Sequence, residues 1–439
     1  MIAVGVPEAL RSRRPQVQTA VGLVAAAVVT AYVVAAQPIL SLRALAAVGL
    51  VVLVVVTRLP LGTALLAASF YFDDYLSVGE GFLTPGKLIG ALAVGVFAVE
   101  WLRYRDPIRW SPQLTAVVGL SLSLLMSFAV ARDQDRAVLI TSRYVMFFIL
   151  FFLVLQTIRR RRDAELLADV VVAAAGWSAL LGLKHYFFTE GVFRASGPIG
   201  DPGDFGFLLA TTIPLALYRV GTAPGIRRVV AAAASLFMFA AVLMSFSRAA
   251  LLGLAAAGLW ALATRRLALR WGVVALAALV LSGFAAYLVQ PELVQTTLEL
   301  KQNVAQQNVE SRFTLWRVAT EQFETSPAVG VGPGNYEARY VEFEYPQFQE
   351  AQTTHNAYLH VLAELGLAGL VLFLAYLAAS WAALRRRVGQ VRTDQLMSAL
   401  AAGFVVALVG AMFMTQQFYS PMWFLPALAV AVLRLQPAE

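Results

Sequence analysis

Apolar runs of about 18 or more residues, each long enough to cross ~30 Å of hydrocarbon as a helix, recur from one end of this 439-residue chain to the other. Within a bilayer every backbone amide needs an internal partner, so only helices and closed barrels can span it. A barrel would show as short alternating segments, and the chain does not alternate. The expected fold is therefore all-α. Apolar residues make up 59% of the chain and charged residues only 14%, with a mean hydropathy of +0.71. Soluble domains carry about a quarter charged residues, so lipid has to solvate much of this surface.

Spans are expected near 17–36, 40–57, 59–72, 86–102, 113–131, 138–157, 165–187, 205–219, 229–246, 249–264, 270–289, 357–384, 396–415 and 420–434. The third and the last are short enough to be re-entrant or broken, so the expectation is about 12–14 transmembrane helices. Arg11, Arg13 and Arg14 precede an uncleaved signal anchor in this reading. With the N-terminus inside, the remaining arginine clusters fall on one side. These are Arg103, Arg105 and Arg109; Arg159 to Arg162; Arg227 and Arg228; Arg265, Arg266 and Arg270; and Arg385, Arg386, Arg387 and Arg392. That is the positive-inside pattern of a multi-pass protein. The net charge of +8 is thereby explained without a nucleic-acid partner. Cysteine is absent, which excludes disulfides and thiolate chemistry.

One connection is unlike the others. Between Gln290 and Asn356, on the side expected to be periplasmic, nine glutamates face four basic residues. Helical periodicity persists around 311–325, and Trp316, Phe323, Tyr336, Tyr340, Phe343 and Tyr345 supply apolar surface to pack on the membrane domain. The expected organisation is a helical bundle over 1–289, a loop subdomain over 290–356 and closing helices over 357–439.

Ionisable residues at the outer ends of spans are costly without partners, which makes them functional candidates. Arg248, in SFSRAALLG, faces the expected periplasm against the charge bias; its rigid fork of donors suits phosphate. A snorkelling arginine is the alternative. Arg312 and Trp316 share a face at i, i+4 spacing, which suits a diphosphate beside a sugar ring, and Arg317 follows. A solvated helix face is the other reading of both arginines. Arg194 lies in FRASGPIGDPGDFG, where backbone amides can form an anion nest, or the glycines serve only tight turns. Asp201 and Asp204 there could bind a cation, polarise an acceptor hydroxyl, or be ordinary turn residues. His355, with Asn356 beside it, opens HNAYLHVLAELGLAG where the loop re-enters the membrane; it is the candidate for proton transfer. His360 points to another face and reads as packed or capping, and His185 ends a span.

Other motifs are weak. Asp73, Asp74 and Glu80 fit a solvated loop better than a metal site. GVGPGNY at 330–336 lacks the strand, helix and lysine of a nucleotide loop, so it reads as a turn. No P-loop, HExxH, GxSxG or dinucleotide fingerprint is present.

The order of FRASG (193–197), SFSRA (245–249), SRFTLW (311–316), PAVGVGPGNY (327–336) and HNAYLHVLAELGLAG (355–369) resembles the O-antigen ligase and polymerase superfamily over roughly 190–416. The resemblance implies a GT-C-like, multi-pass glycosyltransferase of the bacterial inner membrane, with its active site facing the periplasm. Its donor would be an undecaprenyl-diphosphate-linked glycan. Its acceptor would be lipid A-core or a second lipid-linked glycan, and no metal or other cofactor is implied. By that resemblance Arg248 and Arg312 match arginines that hold the diphosphate, His355 matches a functional histidine, and Arg194 matches a loop arginine. Arg317, Asn356, Trp316 and Asp204 join them as candidate substrate-binding residues. Ligase and polymerase stand level, and a protein O-oligosaccharyltransferase is a third form. A lipid-linked glycan flippase is the competing class, although the paired repeats common in transporters are not evident.

Overall fold

A computed structural model describes residues 42–72, 84–265, 312–343, 353–386, 389–415 and 419–435, with isolated positions between 284 and 295 and at 417. The expected spans at 17–36 and 270–289, and the Asp73, Asp74 and Glu80 loop, lie outside the described residues or nearly so. The described helices are α1 (Leu42–Thr57), α2 (Leu59–Ser69), α3 (Pro85–Tyr104), α4 (Pro112–Phe128), α5 (Gln134–Thr157), α6 (Arg161–Phe188), α7 (Pro202–Thr222), α8 (Gly225–Met244), α9 (Arg248–Ala263), α10 (312–325), α11 (Ala357–Leu384), α12 (Val391–Gly410) and α13 (Ser420–Leu433). Seven are long and apolar enough to cross a membrane, and α2, α4, α9 and α13 are shorter apolar helices. The chain is an all-α, polytopic membrane protein.

Sequence chemistry sets the helix starts. Thr84, Ser111, Asp133, Asp201, Ser247 and Asn356 each accept a first-turn amide on their side chain, and proline follows the cap in α3, α4 and α7. Helix α7 packs against α6, α8, α9 and α12; α11 packs against α4, and α13 against α5.

Arginines of the clusters at 103–109, 159–162 and 227–228 gather at one end of the bundle. Arg109 donates to Ile158 O at 3.0 Å, Arg159 pairs with Asp106 at 2.7 Å, and Arg161 donates to Thr393 at 3.0 Å and Tyr218 at 2.7 Å. Arg219 is the buried member of this network. Its Nε and Nη2 hold both oxygens of Asp169, at 2.6 and 3.0 Å, joining α6 to α7. Removing one partner of a buried pair strands the other, at a cost of about 3–5 kcal/mol. Arg219→Ala should therefore lower the melting temperature in detergent sharply. Arg317→Ala, whose partner Glu321 lies 3.7 Å away with the arginine 71% exposed, should cost less than about 1 kcal/mol.

At the opposite end a break occurs in a span that was expected to be continuous. Helix α11 is interrupted at Gly366 (φ 66°, ψ −167°), leaving a half-helix over 357–365. The PAVGVGPG segment enters this gap. Val331 N donates to Ala363 O at 2.9 Å and Gly332 N to Glu364 O at 3.0 Å, while Leu367 N donates to Pro327 O at 2.8 Å. Irregular backbone near membrane depth survives only where its polar groups are satisfied in this way. The glycine-rich stretch is thus more than the turn expected of it. A Cβ on Gly330 would stand 2.3 Å from the Glu364 carbonyl. Beside it, Leu315, Val318 and Ala319 of α10 form a small core with Tyr336, Tyr340 and Ala363, as the aromatic content of the loop led us to expect.

Candidate functional site

Most of the residues singled out from sequence, Arg317 apart, lie at the end opposite these arginines. Helix α8 stops at Met244, Phe246 takes a left-handed conformation (φ 51°), and Ser247 caps α9. Arg248 is therefore the first residue of α9, and it is exposed. Arg312, the first described residue of α10, is half-buried. The two guanidiniums lie within electrostatic reach of one another. Burial, and then the Arg248 charge, push the Arg312 guanidinium below its usual range. Among the described residues neither arginine has an ion-pair carboxylate, so the pair is poised for an external anion.

His355 completes this group. It is half-buried and held in the left-handed region at φ 48°, which histidine tolerates better than bulky apolar residues. Three contacts hold the turn. Trp316 Nε1 donates to Thr354 O at 3.1 Å, the Thr354 hydroxyl donates to Asn356 O at 2.9 Å, and Asn356 Oδ1 accepts from Tyr358 N and Leu359 N at 3.0 and 3.1 Å. Asn356 thus caps the half-helix, and His355 sits at the positive end of its dipole. The His355 imidazole lies below its ordinary pKa, through burial first, then Arg312 and His360, with Asp201 opposing.

The FRASG loop packs against the same corner. Ala195 N donates to Met244 O at 2.9 Å, and Arg194 Nε donates to Ser245 O at 2.9 Å. Burial lowers the Arg194 pKa while Asp201 opposes the shift. Asp201 caps α7 through Asp204 N at 2.8 Å, and the Asp204 side chain bonds Tyr419. Electrostatic reach thus links Arg248 to Arg312, Arg312 to His355, and Asp201 to both His355 and Arg194.

Residues 233–374 match a family model described as O-antigen ligase. That segment is similar to the O-antigen ligase family. The match covers about a third of the chain. No curated protein matches the chain.

The O-antigen ligase segment contains Arg248, Arg312, Trp316, Arg317, His355 and Asn356; Arg194 and Asp204 come from outside it. Arg317 stands apart from the group, exposed and paired with Glu321. Trp316 and Asn356 reach it through the backbone they hold. Sequence reasoning passed over three residues of this end. Arg143 lies nine residues into α5, about 14 Å along the helix, exposed and within electrostatic reach of Glu337 and Tyr419. An arginine inside an apolar span is the signal that could have found it. Glu364, fully buried in α11 and inside the expected span 357–384, carries the same signal, whereas Glu337, whose carboxyl is raised by burial first, carries none, because acidic residues are common in loops.

Proposed function

We propose that the protein transfers or polymerises an undecaprenyl-diphosphate-linked glycan at the periplasmic face of a bacterial inner membrane, as an inverting transferase that needs no metal ion. The observation that carries this reading is the placement of Arg248 beside Arg312, with His355 next to Arg312, at the end away from the arginine clusters. Positive-inside bias supports a periplasmic location for that end. ATP is absent there, so the donor must arrive activated, and a lipid diphosphate is activated.

In this mechanism an acceptor hydroxyl attacks the anomeric carbon in line. His355 takes its proton, the new glycosidic bond forms, and the bond from the anomeric carbon to the diphosphate oxygen breaks with its electron pair leaving on the diphosphate. Arg248 and Arg312 stabilise the charge that grows there. Asp201 and Asp204, with Arg194, supply hydrogen-bonding groups to sugars around the reacting centre. Both Arg248→Ala and Arg312→Ala should lower transfer by about 10²–10³-fold without loss of folded protein. Lysine at either position should restore only part of the rate, because it lacks the bidentate fork. Undiminished transfer by both alanine variants, assayed in detergent with lipid-linked donor, would remove the mechanism. Transfer should also persist in a chelator.

The base must be neutral to act, and its pKa is depressed. The acid limb of kcat/KM should therefore lie below ~6.5, the ordinary histidine value. A pH profile with that limb above 6.5 would contradict the assignment. Ligase and polymerase differ only in acceptor. Deleting the gene separates them: loss of a ligase leaves long chains on the carrier, and loss of a polymerase leaves single repeat units.

A further inference from the structure

The order of residues makes Trp316 a candidate platform for a sugar ring, four positions beyond Arg312. In the structure its indole is already engaged. The side chain is half-buried, Phe313 meets the ring edge-on with centroids 5.6 Å apart, and Nε1 donates to Thr354 O at 3.1 Å. An indole has one polar hydrogen and no acceptor, so this bond uses the whole hydrogen-bonding capacity of the side chain. The carbonyl it holds belongs to the residue just before His355. Thr354 is fully buried, and its hydroxyl donates to Asn356 O at 2.9 Å and accepts from Asn356 N at 3.3 Å. Asn356 caps the half-helix, and Ala357 N donates to Ala411 O at 2.8 Å, which ties the turn to the end of α12. His355 thus stands between two fixed neighbours in a left-handed conformation. Since a residue has only two soft dihedrals, holding 354 and 356 sets where the imidazole starts.

The donor side is equally fixed. Leu315, Val318 and Ala319 of α10 pack against Tyr336, Tyr340 and Ala363, the last on the half-helix itself. The Tyr336 hydroxyl donates to Leu315 O at 2.9 Å, and Thr320 Oγ1 donates to Trp316 O at 3.0 Å. Arg312 lies one turn before Trp316 on the same helix face, about 6 Å along the axis. One rigid element therefore carries both Arg312 and the N–H that grips the His355 turn.

We propose that Trp316 is a positioning residue: its indole N–H, acting through the Thr354 carbonyl, sets His355 against Arg312, and its ring is not a platform for sugar. The inference rests on the reading of His355 as the base and Arg312 as a leaving-group arginine. It separates two roles that look alike in the sequence, because a stacking ring needs only its aromatic face and a positioning indole needs its nitrogen.

The test compares Trp316→Phe and Trp316→Leu in the full-length protein in nanodiscs, each alone and combined with His355→Asn. Phenylalanine keeps an aromatic face and loses the N–H; leucine loses both. Loss of one net hydrogen bond should lower kcat by about 3–10-fold in both variants, with the KM for lipid-linked donor and for acceptor unchanged. In the His355→Asn background Trp316→Phe should cause no further fall, because the two residues act as one unit. A sugar platform gives the opposite pattern: near-wild-type KM with phenylalanine, a several-fold higher KM with leucine, and the same change whether or not His355 is present. That pattern overturns the proposal, and so does full additivity of Trp316→Phe with His355→Asn, which marks a merely structural role. A second readout needs no turnover. The chain has eight tryptophans, and the indole N–H signal that Trp316→Phe removes should be protected from deuterium exchange in the wild type. Exchange at the rate of an exposed indole also overturns the proposal. If Trp316→Phe fails to fold, Trp316→Tyr takes its place in the same comparisons. If His355→Asn transfers at the wild-type rate, the transferase reading itself fails, and indole protection still reports the bond to Thr354.

Discussion

Replacing His355 with asparagine is expected to lower glycan transfer by about 10²–10⁴-fold, the range general-base catalysis supplies, while leaving the protein folded. Asparagine is the informative choice because the residue sits at φ 48°, a conformation that asparagine accepts and alanine resists. The variant therefore removes the titratable nitrogen without straining the turn between Trp316 and the Asn356 cap. Donor binding should survive, since the diphosphate is assigned to Arg248 and Arg312. A loss confined to kcat, with the KM for lipid-linked donor unchanged, is the expected result. Transfer at the wild-type rate would show that the acceptor proton leaves by another route. A rise in KM alone would make His355 a binding group.

A large loss of stability is expected from Gly330→Ala. The position combines φ 74° with a backbone approach so close that a Cβ would stand 2.3 Å from the carbon and oxygen of the Glu364 carbonyl. Left-handed strain costs about 1–3 kcal/mol, and overpacking adds a similar amount. A destabilisation of about 3 kcal/mol or more should follow, read as a lower melting temperature in detergent. The consequence reaches the site, because the same segment satisfies the Ala363 and Glu364 carbonyls across the break in α11. If it withdraws, the half-helix that bears His355 loses its seat. Gly95→Ala, where nothing lies within 4 Å of the added atom, should be close to neutral. Equal melting temperatures for the two variants would show that the inserted segment does not hold the half-helix.

Much of the architecture was legible in the chain because hydropathy and arginine bias act locally. The expected span near 138–157 is the helix Gln134–Thr157, and that near 205–219 is Pro202–Thr222. Their starts extend to the capping residues Asp133 and Asp201, which polarity scales assign to the loops. Arg312 was legible through its i, i+4 spacing from Trp316, and the candidates Arg248 and His355 for a different reason. A basic group at the outer end of an apolar run conflicts with its surroundings, and the conflict is visible without knowing the fold. Arg317 lacks that conflict: it sits on an exposed helix face with Glu321 four residues on.

Amino-acid order alone determined the solvent of this protein, the placement of its arginine clusters and the positions where charge is out of place. These follow from transfer free energies and helix geometry, which need only a residue and its near neighbours. Tertiary structure decided that α11 breaks at Gly366, that the glycine-rich segment fills the gap, and that Arg312 comes within electrostatic reach of both Arg248 and His355, far apart in the chain. Such features depend on backbone hydrogen bonds and charges meeting across about thirty to a hundred residues, where no local preference reaches.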